Sequence, residues 1–231
     1  DKSNNPGTGY GGAIHVDGYE TLKLVLTNFS GNLADKGGGA VHYTGKSADV
    51  SDTVFSGNLV NATGSDSSAP KGGCAVYADS DVTVTFTRSA FSGNLTPTSN
   101  GGALYTAISA TGVISTTSFN GNIAASPGNS GMGGAIYNAG ANLSIAQALF
   151  LNNAVALGNG GALANDRHGS ASIANSTFTA NAALEGNGGA IYSAGDLTME
   201  RCTVTGNTAG DGGAIYNLGY DFEVPRKTFT L

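Results

Sequence analysis

Charged residues are scarce in this chain of 231 residues: 16 are acidic, 10 are basic, and the formal net charge is −6. Such a balance offers no basic surface for nucleic acid or an anionic membrane. No apolar run approaches the roughly 20 residues that a membrane-spanning helix needs. Only 5 prolines are present and glycine has no three-residue period, which excludes collagen. We therefore expect no nucleic-acid partner and no insertion into a membrane.

Glycine is abundant instead, with 37 residues, while 40% of the chain is hydrophobic. This hydrophobic content argues against a disordered Gly/Ser linker, so the glycines are expected to occupy ordered backbone positions. Many belong to a repeated motif, Gly-Gly-Ala followed by an aliphatic residue. The alanine of this motif, which follows Gly-Cys in the third copy, occurs eight times: Ala13, Ala40, Ala75, Ala103, Ala135, Ala162, Ala190 and Ala214.

A second motif, Phe-x-x-Asn, alternates with the first, and Val204 replaces the phenylalanine in its seventh copy. The motif residues are Phe29, Phe55, Phe91, Phe119, Phe150 and Phe178, with Asn32, Asn58, Asn94, Asn122, Asn153, Asn181 and Asn207. From the motif alanine to the next Phe or Val the distance is 14–16 residues, whereas from the Asn to the next alanine it varies between 7 and 17. The first arm of the repeat, from the alanine to the Phe or Val, is thus constrained by geometry. The second arm, from the Asn to the next alanine, is a loop.

Short β-strands are predicted in the constant arm, because aliphatic residues alternate there with a period of two, as in Leu22/Leu24 and Leu143/Ile145. Short strands, glycine-rich corners and the absence of a helical period favour one coil of a parallel β-helix per repeat. We predict an all-β fold, a single right-handed parallel β-helix of about eight coils over residues 11–217, with a polar leader at 1–10 and a tail at 218–231. The Phe column is expected to stack in the core, and the Asn column to bond from coil to coil at a corner.

The two motifs together resemble the repeats of the chlamydial polymorphic outer membrane proteins and of bacterial surface proteins with right-handed parallel β-helix repeats. The resemblance covers roughly residues 11–217. It implies an extracellular or cell-surface location and an adhesin function.

A column of mostly aromatic rings stands two residues after the motif alanine. If the preceding aliphatic residue points inward, alternation directs this column outward. We therefore predict an exposed aromatic strip suited to lateral packing or to stacking on glycans. Its members are His15, His42, Tyr77, Tyr105, Tyr137, Tyr192 and Tyr216.

No catalytic residue, metal ligand or cofactor-binding residue is predicted. Asp17, Asp79 and Asp166 share a column but belong to coils one, three and six, which is too wide a spacing for one site. The cluster Asp166-Arg167-His168 is interpreted as a charged turn. We expect no enzyme activity and no cofactor, and a polysaccharide lyase or hydrolase is the last of three functional interpretations.

The two cysteines are predicted to be unpaired within one chain. Cys74 belongs to the third coil and Cys202 to the seventh, about 19 Å apart along the axis at one strand spacing per coil. The Cα atoms of a disulfide are at most about 7 Å apart.

The tail alternates apolar residues outside the repeat, at Phe222, Val224, Phe229 and Leu231, which predicts a strand. It either folds back as a cap or docks on a neighbouring subunit by strand addition. Because the chain begins with Asp1 and has no signal-peptide pattern, it is interpreted as a processed form or a piece of a longer chain.

The favoured function is a non-enzymatic extracellular structural protein that assembles with itself, head to tail, into a filament or surface fibre. The alternative is a monomeric adhesin that binds glycans or cell-surface receptors.

Overall fold

The computed structural model describes residues 9–61, 72–97, 99–125, 131–218 and 228–230. All helix or strand elements in these residues are β-strands. The first three coils contain β1 (Ile14–Val16), β2 (Thr21–Val25), β3 (Asn28–Ser30), β4 (Leu33–Ala34), β5 (Val41–Tyr43), β6 (Ser47–Ser51), β7 (Val54–Ser56), β8 (Leu59–Val60), β9 (Val76–Ala78), β10 (Thr83–Thr87), β11 (Ala90–Ser92) and β12 (Leu95–Thr96). The next two coils contain β13 (Leu104–Thr106), β14 (Thr111–Ser115), β15 (Ser118–Asn120), β16 (Ile123–Ala124), β17 (Gly131–Met132), β18 (Ile136–Asn138), β19 (Asn142–Ala146), β20 (Leu149–Leu151), β21 (Ala154–Val155) and β22 (Gly158–Asn159). The remaining strands are β23 (Leu163–Asn165), β24 (Ser170–Ala174), β25 (Thr177–Thr179), β26 (Ala182–Asn187), β27 (Ile191–Ser193), β28 (Asp196–Glu200), β29 (Thr203–Thr205), β30 (Thr208–Asp211), β31 (Ile215–Asn217) and β32 (Phe229–Thr230).

Each complete coil adds one strand to each of four parallel sheets, numbered 1 to 4 in the order along the coil. Sheet 1 runs β1-β5-β9-β13-β18-β23-β27-β31 and sheet 2 runs β2-β6-β10-β14-β19-β24-β28-β32. Sheet 3 runs β3-β7-β11-β15-β20-β25-β29 and sheet 4 runs β4-β8-β12-β16-β21-β26-β30. The predicted all-β parallel β-helix is confirmed. The expected number of about eight coils corresponds to seven complete coils and two strands of an eighth.

The register between coils is that of the sequence motifs. Phe119 lies opposite Phe91 on one side and Phe150 on the other, and Ile136 lies opposite Leu104 and Leu163. These side chains point inward and are fully buried in one continuous core along the solenoid. Equivalent residues therefore occupy equivalent environments in successive coils.

The Gly-Gly pair of each repeat is required at a tight corner before sheet 1. Gly38 has φ +63°, a left-handed conformation that residues with a Cβ rarely adopt, and a Cβ on Gly38 would lie 2.2 Å from the carbonyl oxygen of Val41. A Cβ on Gly39 would lie 2.2 Å from the carbonyl oxygen of Cys74 in the next coil. The first glycine thus permits the turn, and the second permits close approach of the coils.

Two other corners use left-handed backbone with different residues. Between sheets 3 and 4 the left-handed position is glycine in five coils: Gly31, Gly57, Gly93, Gly121 and Gly206, with Asn152 and Ala180 in the other two. Between sheets 2 and 3, a corner that we call the side-chain corner, no coil uses glycine: the residues are Leu26, Asp52, Arg88, Thr116, Gln147, Asn175 and Arg201, with φ between 47° and 54°.

Candidate functional site

An asparagine ladder runs along the corner between sheets 3 and 4. The side-chain Nδ2 of Asn122 donates to Oδ1 of Asn153 at 2.9 Å and to the carbonyl oxygen of Phe91 at 3.0 Å. The backbone N–H of Asn122 donates to the same Oδ1 at 3.0 Å. The coil-to-coil bond recurs from Asn32 to Asn207, which confirms the predicted ladder. Because satisfied buried amides polarise one another, this column ties each coil to both of its neighbours.

The phenylalanine column stacks inside the core as predicted. Ring centroids from Phe29 to Phe178 are 4.4–5.1 Å apart in successive coils, and the ring planes are within 9° of parallel. Val204 continues the column in the seventh coil, opposite Phe178. The Phe and Asn columns are therefore structural: they hold the coils in register.

A hydroxyl ladder, which sequence reasoning missed, lies two residues before the phenylalanine column. The Ser89 hydroxyl donates to the carbonyl oxygen of Thr87 at 3.1 Å and accepts the backbone N–H of Thr53 at 3.3 Å. Thr117 and Ser176 repeat the bond to the residue two positions earlier at 2.9 and 2.8 Å. The signal was present in the sequence, since Ser or Thr precedes the phenylalanine by two positions at Thr27, Thr53, Ser89, Thr117 and Ser176.

The predicted column of rings stacks on the outer side of sheet 1. The centroid of His42 is 4.9 Å from that of His15 and 4.9 Å from that of Tyr77. Tyr105 continues the stack at 4.8 Å from Tyr77 and 5.2 Å from Tyr137. Ala164 interrupts the column, after which Tyr192 and Tyr216 stack on each other at 5.8 Å.

The expectation that this strip is exposed is wrong for most of its members. His42, Tyr77, Tyr137 and Tyr192 are buried, with 2–8% of their surface exposed. Tyr105 and Tyr216 are half-buried, and His15 alone of the seven is exposed. Four of the rings form part of an apolar cluster separate from the main core, together with Met132: Tyr105, Tyr137, Tyr192 and Tyr216.

Described residues that precede the Gly-Gly-Ala motifs pack against the rings. The ring of Tyr10 contacts that of His42 at a tilt of 47°, with centroids 4.4 Å apart, and a Cβ on Gly72 would lie 2.5 Å from the ring of Tyr105. These segments pair with one another along the axis, from Tyr10 through Gly37 and Gly72 to Asn100, and again between β17 and β22. The buried rings of the column therefore lie between sheet 1 and this additional ladder.

The hydroxyl ends of the tyrosines lie beside aspartates. The hydroxyl of Tyr137 donates to Oδ2 of Asp166 at 2.6 Å, and burial together with this bond raises the pKa of Tyr137. Burial, with the nearby charges of Asp166 and Asp79, raises the pKa of Tyr105 to about 12. Both hydroxyl groups therefore stay protonated at physiological pH.

His42 is a buried imidazole at the N-terminal end of the column. Neither of its ring nitrogens has a hydrogen-bond partner within the described ranges. Burial, followed by the influence of His15, lowers the pKa of His42 to about 4. The ring is therefore neutral at pH 7.

Two of the acidic residues that share a column accept the N–H of the residue that follows them. Oδ1 of Asp79 accepts the N–H of Ser80 and Oδ1 of Asp166 accepts the N–H of Arg167, both at 2.7 Å. Nε of Arg167 donates to Nε2 of His168 at 3.1 Å on an exposed turn. In the part of the chain that the structure describes, no group of three or more His, Cys, Asp or Glu side chains could hold a metal ion.

Both cysteines are unpaired, as predicted. Cys74 is fully buried next to Val60, and burial raises the pKa of its thiol to about 12. Cys202 is half-buried in the last complete coil, where it occupies the position of the hydroxyl ladder and its thiol donates to the carbonyl oxygen of Ile173.

The tail contributes a strand to the last coil. Phe229 lies opposite Leu197 in sheet 2, and the N–H of Leu197 donates to the carbonyl oxygen of Thr228 at 2.8 Å. The other tail positions for which a strand was predicted, Phe222, Val224 and Leu231, lie outside the described residues.

The two ends of the solenoid expose strand edges. Among the described residues, β1 to β4 pair on one side only, with the second coil, and β29 to β32 pair only with the strands before them. Sheets 1 and 2 have eight strands and sheets 3 and 4 have seven, so the C-terminal face has a step one strand deep. A cavity of about 430 Å³ opens at this step, lined by Met199, Arg201, Cys202, Val204 and Ile215.

The chain resembles the chlamydial polymorphic membrane proteins in its repeats. Five segments match the model of the Chlamydia polymorphic membrane protein repeat: residues 27–44, 88–107, 116–139, 175–194 and 201–218. Each contains one Phe-x-x-Asn unit, or its Val204 variant, and the Gly-Gly-Ala corner that follows it. Neither curated proteins nor solved structures gave a significant match. The described residues contain no helix that is long and apolar enough to cross a membrane.

Proposed function

We propose that this chain is a non-enzymatic structural protein of the cell surface or extracellular space, and that copies of it associate head to tail into a fibre. The match to the chlamydial polymorphic membrane protein repeat supports a surface or outer-membrane-associated location. A β-helical rod is suited to such a role, since its length grows with the number of coils and its repeats contact only their neighbours.

The observation that carries the proposal is the equivalence of the coil interfaces. Successive coils pair through the same parallel sheets, so the open edges of the first coil of one copy are complementary to the open edges of the last coil of another. Exposed edges of this kind pair readily unless charge or a cover prevents it. The net charge of −6 gives little repulsion between copies.

The step at the C-terminal face specifies the junction. In this arrangement β31 pairs with β1 of the next copy and β32 pairs with β2, so sheets 1 and 2 continue across the junction. Sheets 3 and 4 are each interrupted by one missing strand at the cavity. Eight strand layers per copy then predict an axial repeat of about 38 Å.

Electron microscopy and sedimentation of the 231-residue chain test this assembly. The N–H of Leu218 donates to the carbonyl oxygen of Ser193 in the preceding coil. Since successive N–H groups of a strand point to opposite sides, the N–H of Asn217 points to the open side of β31. Asn217→Pro removes that donor at an edge position where proline is tolerated, and should abolish fibres, whereas the matched variant Asn217→Ala should retain them. Removal of residues 221–231, which deletes β32, should also weaken assembly. Monodisperse wild-type rods at high concentration, or fibres unaffected by Asn217→Pro, would show that the proposed junction is wrong.

A monomeric adhesin is the second candidate. The observation in its favour is the side-chain corner, where a row of exposed or half-buried side chains, polar in six of the seven coils, runs along the rod. This function needs a lateral binding surface rather than a junction at the ends.

A further inference from the structure

The side-chain corner retains backbone strain in every coil. A left-handed conformation is energetically unfavourable for a residue with a Cβ, a cost that glycine avoids. The corner between sheets 3 and 4 uses glycine in five of its seven coils, whereas the side-chain corner uses none. Strained residues that persist in this way cluster at ligand-binding and active sites.

The side chains at this corner form one wall of a groove outside sheet 3. The groove has a volume of about 370 Å³, and its polar wall consists of Asp52, Arg88, Thr116 and Gln147, one residue from each of four successive coils. Val54 and Leu149 stand at the two ends of the opposite side, with 37% and 40% of their surface exposed. This volume lies within the range of small-molecule sites, and the mixture of apolar surface with a few polar groups is also typical of them.

The polar wall is neutral overall. Nε of Arg88 donates to Oδ1 of Asp52 at 2.8 Å and its second nitrogen donates to Oδ2 at 2.7 Å. This bidentate bond from Arg88 lowers the pKa of Asp52, so the carboxylate stays charged and neutralises the guanidinium. Thr116 and Gln147 extend the wall with a hydroxyl and an amide, whose oxygen atoms are 3.5 Å apart. A strongly anionic ligand would find no excess positive charge here.

The dimensions favour a linear ligand. Asp52 and Gln147 are three coil steps apart, about 14 Å at one strand spacing per coil. A polymer that lies along the axis meets a polar group at each step on one side and, on the other, the row Val54, Ala90, Ser118 and Leu149, which is apolar except for Ser118. Polysaccharides have this combination, with hydroxyl groups at the ring edges and C–H groups on the ring faces.

We propose that this groove binds an extended neutral polysaccharide whose chain runs parallel to the solenoid axis. The ring faces pack on the side bounded by Val54 and Leu149, and the hydroxyl groups bond to the carboxylate, guanidinium, hydroxyl and amide of the opposite wall. This site is lateral and does not depend on end-to-end association. It specifies the class of ligand for the adhesin function. Glycan binding is then assigned to the side-chain corner, not to the aromatic column, most of which is buried.

Affinity electrophoresis through gels that contain soluble polysaccharides tests the proposal. The probes are a β-glucan, xylan, galactomannan and glycol chitin as neutral polymers, with polygalacturonate as the acidic comparator. The wild type should be retarded by at least one neutral polymer and not by polygalacturonate. Ala90→Tyr, whose new ring enters the groove, should weaken that retardation at least tenfold. Thr203→Tyr is the matched control, because Thr203 lies in the same outward row two coils beyond Leu149, and it should leave retardation unchanged.

Several outcomes would overturn the proposal: no retardation by any neutral polymer, retardation by polygalacturonate alone, or equal effects of the two tyrosine variants. Circular dichroism of both variants establishes that they keep the β-helix. Arg88→Gln provides an independent check, because it removes the charged pair without filling the groove and should also reduce retardation. Unchanged retardation of Arg88→Gln would contradict the assigned polar wall. The electrophoresis is run on monomeric fractions, so that fibre formation does not affect the retardation.

Discussion

Asn122 and Asn153 are joined by a hydrogen bond of 2.9 Å between side-chain amides that have no exposed surface. The bond lies at a corner, where the backbone turns and its own groups cannot all pair between strands. In this buried setting a lost partner leaves polar groups without water to replace it. The amide column therefore connects the stability of one coil to that of its neighbours.

Replacement of a central ladder residue should be costly. Asn122→Ala leaves the backbone N–H and Nδ2 of Asn94 without their acceptor and Phe91 without its donor. At roughly 1–3 kcal/mol for each unsatisfied buried group, the free energy of unfolding should fall by about 3 kcal/mol or more. Asn32→Ala is the control at the end of the ladder and should cost under about 1 kcal/mol. Urea unfolding followed by circular dichroism measures both, and equal midpoints for the two variants would contradict the ladder's role.

The seventh position of the phenylalanine column should accept a ring. Val204 lies below Phe178 beside the open cavity, so Val204→Phe extends the stack and covers apolar surface. We expect a gain of about 1 kcal/mol, seen as a higher thermal midpoint. Val204→Ile, which adds one carbon and no ring, should give a smaller gain. A lower midpoint for Val204→Phe would show that the cavity does not admit the ring.

The two thiols should differ in reactivity. Cys74 has no exposed surface and a pKa raised to about 12 by burial, whereas Cys202 is half-buried at the C-terminal face. Since the thiolate is the reactive form, a maleimide should label the native chain once, at Cys202. Mass spectrometry should find no label on native Cys202→Ser and two labels on the unfolded wild type. Rapid double labelling of the native protein would be inconsistent with this packing.

Acid should destabilise the N-terminal coils through His42. Its pKa is lowered to about 4 in the folded state from 6.5, so between these values the unfolded chain binds more protons. Stability is therefore complete above pH 6.5 and decreases as the pH falls towards 4, by at most about 3 kcal/mol. His42→Phe keeps the stacked ring without a titrating group and should reduce this loss. The check is the difference between urea midpoints at pH 7.5 and pH 4 for both proteins, and the same difference in each would refute the assignment to His42.

The columns along the solenoid could be predicted from the sequence because a parallel coil leaves little freedom of register. A shift by one residue would turn Phe119 to solvent and move Asn122 away from its corner. The nearly constant distance from the motif alanine to the next Phe or Val was therefore enough to predict most of the fold. The separation of Cys74 and Cys202 followed from the same coil numbering.

The burial of the aromatic column could not be predicted in this way. Nothing in the strand that carries Tyr77 indicates what lies outside it, and the covering residues, such as Tyr10 and Met132, belong to the arm whose length varies. The groove at the side-chain corner was missed for a related reason. Its wall is defined by a shared backbone conformation, while its residues, from Asp52 to Gln147, have no common chemical type.

The asparagine ladder also gives the solenoid an electrical direction. From Asn32 to Asn181 each side chain donates one of its two Nδ2 hydrogens to the asparagine of the next coil, and from Asn58 onward its oxygen accepts from the asparagine of the previous coil. The amide dipoles are therefore aligned and add along the axis, much as peptide dipoles add along a helix. Because these bonds all run in one direction, the two ends of the column differ, and a further coil could continue it only in the same orientation.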